Sequence, residues 1–210
     1  MTEKTAQKEP GKKPVPSKKP KPQQEVVVQI PLSELHPFPD HPFQVREDAS
    51  MQETAESVKE YGVLVPALAR PREDGGYELI AGHRRKHACE LAGLATMPVI
   101  VRDIDRDAAT IIMVDSNLQR ENILPSERAK AYKMKMEAIK RQGARTDLTS
   151  PKISAKFRSD DEVGQDAGVS GDTIRNYIAL TQLVPELQQM VDEKKIALSP
   201  AYQIAALTPK

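Results

Sequence analysis

Apolar and polar residues follow two different patterns along this chain, one in each half. Val26-Val27-Val28-Gln29-Ile30 reads as a strand, because β-branched side chains pack well on a pleated surface. Residues 36–43 (His-Pro-Phe-Pro-Asp-His-Pro-Phe) read as a loop, since three prolines remove hydrogen-bond donors. Ser50-x-x-Glu53 reads as a capping box opening a helix that Gly62 ends, with Val58 and Tyr61 on its inner side. Ala67–Arg70 and Tyr77–Ala81 predict a hairpin turned by Glu73-Asp74-Gly75-Gly76. His83–Ala92 predicts a helix closed by Gly93, and Met97–Val101 a further strand. Asp105 then caps a helix to about Asn117, with Ile111, Ile112 and Val114 as apolar positions. This half predicts a small mixed sheet with helices.

Beyond it every apolar pattern is helical. Pro125 suits the first turn of a long helix ending at Gly143. Residues 144–158 are polar and irregular, and short helices follow at about 160–167, 171–181 and 185–194, with another from Ser199-Pro200. Within 160–180 the apolar positions are Val163, Ala167, Val169, Ile174 and Tyr177. Gly168 sits where a tight turn needs positive φ, and Gly164 permits close helix approach. This is helix-turn-helix spacing. Its second helix would start at the N-cap Ser170 and expose Gly171, Asp172, Thr173, Arg175 and Asn176 to the major groove. Arg and Asn are the side chains that pair with guanine and adenine. An ordinary helical hairpin would show the same apolar spacing. The fold class is therefore α+β, with an all-α second part.

Composition narrows the function classes. The chain has 210 residues, 39% of them hydrophobic, and no Trp. One or two domains fit that length. No apolar run reaches the ~20 residues of a membrane span, and the chain reads as cytoplasmic. The single cysteine, Cys89, excludes an intramolecular disulfide or a Cys-rich zinc site, and its neighbours Ala88, Leu91 and Ala92 suit burial. The formal net charge of +1 hides an asymmetry. Residues 1–24 hold five of the 17 prolines and carry seven Lys against Glu3 and Glu9, and read as a disordered basic tail. The rest is acidic, so DNA binding would need local basic patches. Two exist: Arg128, Lys130, Lys133, Lys135, Lys140 and Arg141 on the long helix, and Arg145, Lys152, Lys156 and Arg158 beyond it. Both suit phosphate contacts, or a solvated face.

Two clusters carry candidate chemistry. In Gly82-His83-Arg84-Arg85-Lys86-His87-Ala88 a strand runs into a glycine and a helix starts with basic residues. Free N–H groups, a partial positive charge and guanidinium forks make a phosphate site, though a solvated basic face would share the pattern. His83 and His87 are four apart but lack a third metal ligand. Asp115-Ser116-Asn117-Leu118-Gln119-Arg120-Glu121-Asn122 gathers oxygen ligands of the kind Mg²⁺ takes, or simply caps a helix end.

Three motifs in this order resemble the ParB family of plasmid and chromosome partition proteins, from about Val26 to the end. His36-Pro-Phe-Pro-Asp-His-Pro-Phe-Gln-Val-Arg46 is similar to the family's Pro-rich first nucleotide motif. Gly82 to Ala88 is similar to the second, usually Gly-Glu-Arg-Arg-x-x-Ala. Ser116-Asn117-Leu118-Gln119-Arg120-Glu121 is similar to the third, usually Glu-Asn-x-Gln-Arg-Glu. The resemblance implies a sulfiredoxin-like domain over 25–118 that binds CTP with Mg²⁺. It implies a helical DNA-binding domain over 119–210. Arg46, Gly82, His83, Arg84, Arg85, Asn117, Arg120 and Glu121 would serve the nucleotide, and Asn117 also the metal. Ser170, Asp172, Thr173, Arg175, Asn176, Lys152, Lys156 and Arg158 would meet double-stranded DNA. Such proteins close as ligand-driven homodimeric clamps on nucleoid or plasmid DNA and work with a ParA-type ATPase.

His83 and Ser116 stand where the family has Glu, which makes nucleotide binding a firmer expectation than CTP hydrolysis. The family's C-terminal dimerisation domain has no counterpart before Lys210, so a shortened member or a fragment is expected. Two other classes share these features: a transcription regulator using the same helix-turn-helix, and a nucleotide-dependent enzyme of the sulfiredoxin fold type. Within the second, which includes sulfiredoxin and ParB-like kinases, the position of Cys89 inside a helix argues against the sulfiredoxin reading.

Overall fold

The computed structural model describes residues 25–120, 122–147 and 159–207. The expected tail and the basic segment holding Lys152, Lys156 and Arg158 lie outside the described residues, as does Glu121.

Five strands form one mixed sheet: β1 (Val27–Pro31), β2 (Leu35–Pro37), β3 (Ala67–Pro71), β4 (Tyr77–Ala81) and β5 (Thr96–Val101). Their order is β1-β5-β3-β4-β2. β1 runs antiparallel to β5, β5 parallel to β3, β3 antiparallel to β4, and β4 parallel to β2. The expected hairpin is β3–β4. The expected loop at 36–43 is corrected at its start, where His36 and Pro37 belong to β2. Proline is admissible there because an edge strand pairs on one side only.

Helices cover both faces of the sheet. α1 (Ala49–Tyr61) and α2 (His83–Leu91) enclose a core of Ile30, Leu35, Met51, Leu79, Cys89, Met97 and Val99. On the other face Ile80 meets Phe38, Phe43, Met113 and Val114, with α3 (Arg106–Leu118) and α4 (Pro125–Asp147) above it. Leu79 and Ile80 are adjacent, so the pleat sends them to opposite layers.

Two local expectations on α1 change. Its N-cap is Asp48, whose side chain accepts from the Met51 N–H at 2.9 Å, so Ser50 is not the cap. Tyr61 is 64% exposed, and Met51 and Val58 are the inward residues. Gly62 does close α1, at φ 71°. α4 runs through Gly143, the end expected for it, to Asp147. Asp105 caps α3 as expected, accepting from Ala108 N–H at 2.8 Å.

The second half packs around α4. Ala131 faces the sheet layer. Ala129 meets Leu180, Leu183, Val191, Ala201 and Ala205 from α7 (Pro185–Asp192), α8 (Leu198–Leu207) and the turn before α7. Tyr132 meets Val163 and Ile174 from α5 (Ser159–Ala167) and α6 (Gly171–Ala179). Lys135 is only 1% exposed, and its Nζ donates to Asp115 Oδ1 on α3 at 2.7 Å and to Asp166 Oδ2 on α5 at 2.9 Å. Burial alone would depress that ammonium, but the two carboxylates outweigh it and hold its pKa above the ordinary value.

α5 and α6 form a helix-turn-helix. Gly168 turns at φ 68° and the Ser170 hydroxyl accepts from the Thr173 N–H at 3.1 Å. A Cβ on Gly164 would lie 2.6 Å from the Val169 carbonyl oxygen, so only glycine lets α5 approach the turn this closely. Among the described residues no helix is long and apolar enough to cross a membrane.

Gly164→Ala should therefore destabilise the chain by about 1–3 kcal/mol, the usual cost of forcing atoms into a packed contact. Gly143→Ala meets nothing within 4 Å and should stabilise by about 0.5–1 kcal/mol. Urea unfolding of the two variants side by side checks both; equal midpoints would remove the packing argument.

Candidate nucleotide and DNA sites

A cavity of about 530 Å³ opens between the β2–α1 loop, the start of α2 and the segment joining α3 to α4. Arg46, Arg84 and Arg120 all line it, one from each of the three motifs. They arrive from distant parts of the chain because the sheet places the end of β4 beside the start of α1, and α3 ends above the same edge. The volume is within the usual range for small-ligand sites.

The charges in this cavity are incompletely compensated. Arg84 donates to the Ser50 hydroxyl at 3.2 Å and lies 3.6 Å from Asp48 Oδ1. Burial lowers the Arg120 pKa, and the Arg84 charge lowers it further while Glu127 opposes both. A guanidinium whose charge is opposed by burial and by a second guanidinium marks a place where an anion is favoured.

Glu127 organises the rim. Its carboxylate accepts from the Gln44 N–H at 3.1 Å and the Leu124 N–H at 3.2 Å, and it lies 3.9 Å from Arg46. The Leu124 bond is the reach-back half of a capping box, with Pro125 as first helical residue and Glu127 as third. The sequence reading gives Glu127 and Asp48 no role in the site and Ser50 only that of a helix cap, although the Pro-x-Glu spacing at the start of α4 is a usable signal.

The other expected nucleotide residues lie elsewhere. Arg85 does not line this cavity; its Nη1 donates to the carbonyls of Val65 and Pro66, each at 2.6 Å. Gly82 caps α2 at φ 113°, and a Cβ there would lie 2.8 Å from Ala67 Cβ, so it serves strand packing as well as backbone access. The His83 ring lies against His41, centroids 4.0 Å apart. Burial first, then His41, Arg120 and Lys86, depress its pKa to about 3, so the ring is neutral at pH 7. The Nε2 atoms of both rings are buried without a hydrogen-bond partner.

Asn117 is 4% exposed, and its Nδ2 donates to the Met113 carbonyl at 2.8 Å. The Ser116 hydroxyl donates to that same carbonyl at 2.9 Å. Among the described residues no group of three His, Cys, Asp or Glu side chains is placed to hold a metal. Asn117 keeps its side-chain oxygen beside the end of α3, and Glu121 of the same motif lies outside the described residues. Cys89 is fully buried, and burial together with Glu90 pushes its thiol pKa up, which suits packing rather than nucleophilic chemistry.

At the helix-turn-helix, Ser170, Asp172, Arg175 and Asn176 are exposed and Thr173 is partly so. Ser170 and Thr173 share a hydroxyl contact at 2.9 Å, and the Arg175 guanidinium is paired with Asp160 and Asp172. Arg175 is thus held by two carboxylates on its own motif.

Comparison with known proteins covers both halves. The family model for the ParB N-terminal domain matches residues 16–118. The chromosome-partitioning protein Spo0J of Thermus thermophilus is 35% identical over 185 residues, covering 88% of this chain and 61% of the relative. The stage 0 sporulation protein J of Bacillus subtilis is 30% identical, covering 89% of this chain and 60% of its own length. The chain thus spans less than two thirds of these curated relatives.

Among solved structures, a C-terminally truncated ParB from Caulobacter crescentus complexed to the centromeric parS site is 28% identical. It aligns with a TM-score of 0.56 over 86% of each chain. A Pnob8-like ParB-N domain shares the fold at 18% identity and a TM-score of 0.58, covering 87% of this chain and 80% of its own. The family model matches the first half and the relatives' matches extend over 88–89% of the chain, and on that ground the chain belongs to the ParB family.

Proposed function

We propose that this chain binds a specific DNA site through α5 and α6, binds CTP in the arginine cavity, and acts in DNA segregation as a homodimeric clamp. Residues 25–118 would form the nucleotide-binding unit and 119–210 the DNA-binding unit. The observation that carries the reading is the convergence of Arg46, Arg84 and Arg120, one from each motif, on one cavity next to a helix-turn-helix. The relatives' names and the DNA complex of the Caulobacter protein support the segregation and DNA parts. The choice of CTP rests on the similarity of the three motifs. The assignment of Mg²⁺ to Asn117 rests likewise on the third motif.

The chemistry asked of the residues is binding and orientation. Arg84 and Arg120 would take phosphate oxygens, each charge-assisted bond contributing about 1.5–3 kcal/mol. Arg46 at the rim would sit toward the sugar and base. An anion between Arg84 and Arg120 removes their mutual repulsion and so draws the end of α3 toward α2. Basic residues on α4 would contact phosphates and fix register without reading sequence.

Equilibrium dialysis with the four nucleoside triphosphates should show CTP bound in preference, and more tightly when cognate DNA is present. Equal or absent binding of all four would sink the nucleotide reading. Arg84→Ala should abolish CTP binding while leaving the melting midpoint and the nucleotide-free DNA mobility shift intact. Arg85→Ala should do the reverse for stability, lowering the midpoint through loss of the Val65 and Pro66 contacts. A matching loss of CTP binding in both variants, with stability unchanged, would show that Arg85 leaves those carbonyls for the ligand.

The nucleotide-free protein should also weaken in acid. The His83 pKa in the folded chain is depressed below the ordinary 6.5 to about 3, so the unfolded chain binds more protons in that interval. This contribution to stability is fully present above pH 6.5 and is lost as the pH falls toward 3. Melting midpoints taken from pH 7.5 down to 5 should fall, and His83→Gln should flatten the slope; an unchanged slope in the variant assigns it to other groups.

A further inference from the structure

We propose that Asp160, Arg175 and Asp172 form one base-reading unit, in which Asp160 positions the Arg175 guanidinium, Arg175 reads guanine and Asp172 reads cytosine. This rests on the reading of α5 and α6 as the DNA-binding element.

The geometry is unusual for a DNA-facing tip. Both helices begin with acid: Asp160, Asp161 and Glu162 on α5, and Asp172 on α6. The two starts are held together tightly. Gly171 is buried, and a Cβ there would fall 2.2 Å from Asp161 Oδ1, so any side chain would push the helices apart. Across this contact Arg175 gives Nη1 to Asp160 and Nη2 to Asp172. The Asp160 side chain is 11% exposed, that of Arg175 44% and that of Asp172 80%. One carboxylate is therefore an anchor inside the motif, and the other stands in solvent.

These positions assign different roles. A guanidinium has five N–H donors, and these two pairs use one nitrogen each, leaving enough donors for the bidentate contact that guanine O6 and N7 require. An arginine free to rotate loses side-chain entropy when it docks; one already held by Asp160 loses less. The exposed Asp172 needs a separate account. A carboxylate repels phosphate, so on a groove-facing helix it is favourable where it accepts from a base amine, and cytosine N4 is the partner of that type. A carboxylate in a first helical turn is also favoured by the helix dipole, so the deciding measurement must read bases and not stability.

Site selection from a randomised duplex pool at fixed salt, with the full chain, makes the test. The wild-type site should carry a guanine whose replacement weakens binding about tenfold or more, and Arg175→Ala should erase that preference. Asp160→Asn should reduce it, and Asp160→Glu, which keeps the charge, should retain it. Asp172→Asn should shift a cytosine preference to adenine, since an amide pairs with adenine N6 and N7. Melting each variant first shows that it folds. If the wild type selects a site and the Asp160 and Asp172 variants select the same one with unchanged preferences, the unit is only a structural staple and the proposal falls while DNA binding stands. If the wild type selects no site, the DNA reading itself falls and this proposal with it.

Discussion

One helix has to satisfy three neighbours at once, and the rest of the molecule is arranged around that demand. α4 presents Ala131 to the sheet layer, Ala129 to the C-terminal helices and Tyr132 to the helix-turn-helix. Small residues allow close approach on two of those sides. The third side holds Lys135, whose ammonium would be costly to bury alone and is stable only because Asp115 and Asp166 both accept from it. Removing the lysine would leave two carboxylates facing each other across the junction of α3 and α5. The two halves of the chain therefore share a polar joint beside the apolar contacts that α4 makes with the sheet layer, and an ionic joint is more sensitive to geometry than an apolar one.

Much of the fold was legible because its signals are local. The β3–β4 hairpin, the Asp105 cap, the Gly62 and Gly93 stops and the helix-turn-helix glycines each depend on residues within a few positions of one another. The failures share a cause. β2 was read as loop because its pairing with β4 is supplied by residues forty positions away, and an edge strand tolerates the prolines that seemed to exclude it. Asp48 displaced Ser50 as the α1 cap because both can serve locally, and Ser50 is engaged instead by Arg84, thirty-four residues on. Lys135 was counted as part of a basic surface, since nothing near it in sequence announces the two carboxylates that bury it.

The candidate site divides along the same line. Residue types were legible, orientations less so. Arg84 and Arg85 were both assigned to phosphate, yet consecutive helical residues point about 100° apart, so one face can hold only one of them. Arg84 faces the cavity and Arg85 braces the carbonyls of Val65 and Pro66. That separation follows from helix geometry and could have been stated beforehand. Glu127 could not be given its full role in advance, because its work on Gln44 joins positions eighty-three residues apart.

The path from the cavity to the helix-turn-helix is short in covalent terms. Asp115, which holds Lys135, and Arg120, which lines the cavity, lie five residues apart around the end of α3. Glu127, which holds the cavity rim, and Lys135 are two turns apart on α4. Arg120 thus lies on one end of a short segment whose other end, at Asp115, is pinned to Lys135. Lys135 in turn touches Asp166, on the helix whose start anchors Arg175. The cavity and α6 are thus connected through two separate groups of ion pairs, Lys135 with Asp115 and Asp166, and Arg175 with Asp160 and Asp172, joined by the length of α5. A buried lysine that loses either carboxylate partner is costly, so this joint resists displacement of α3 against α5.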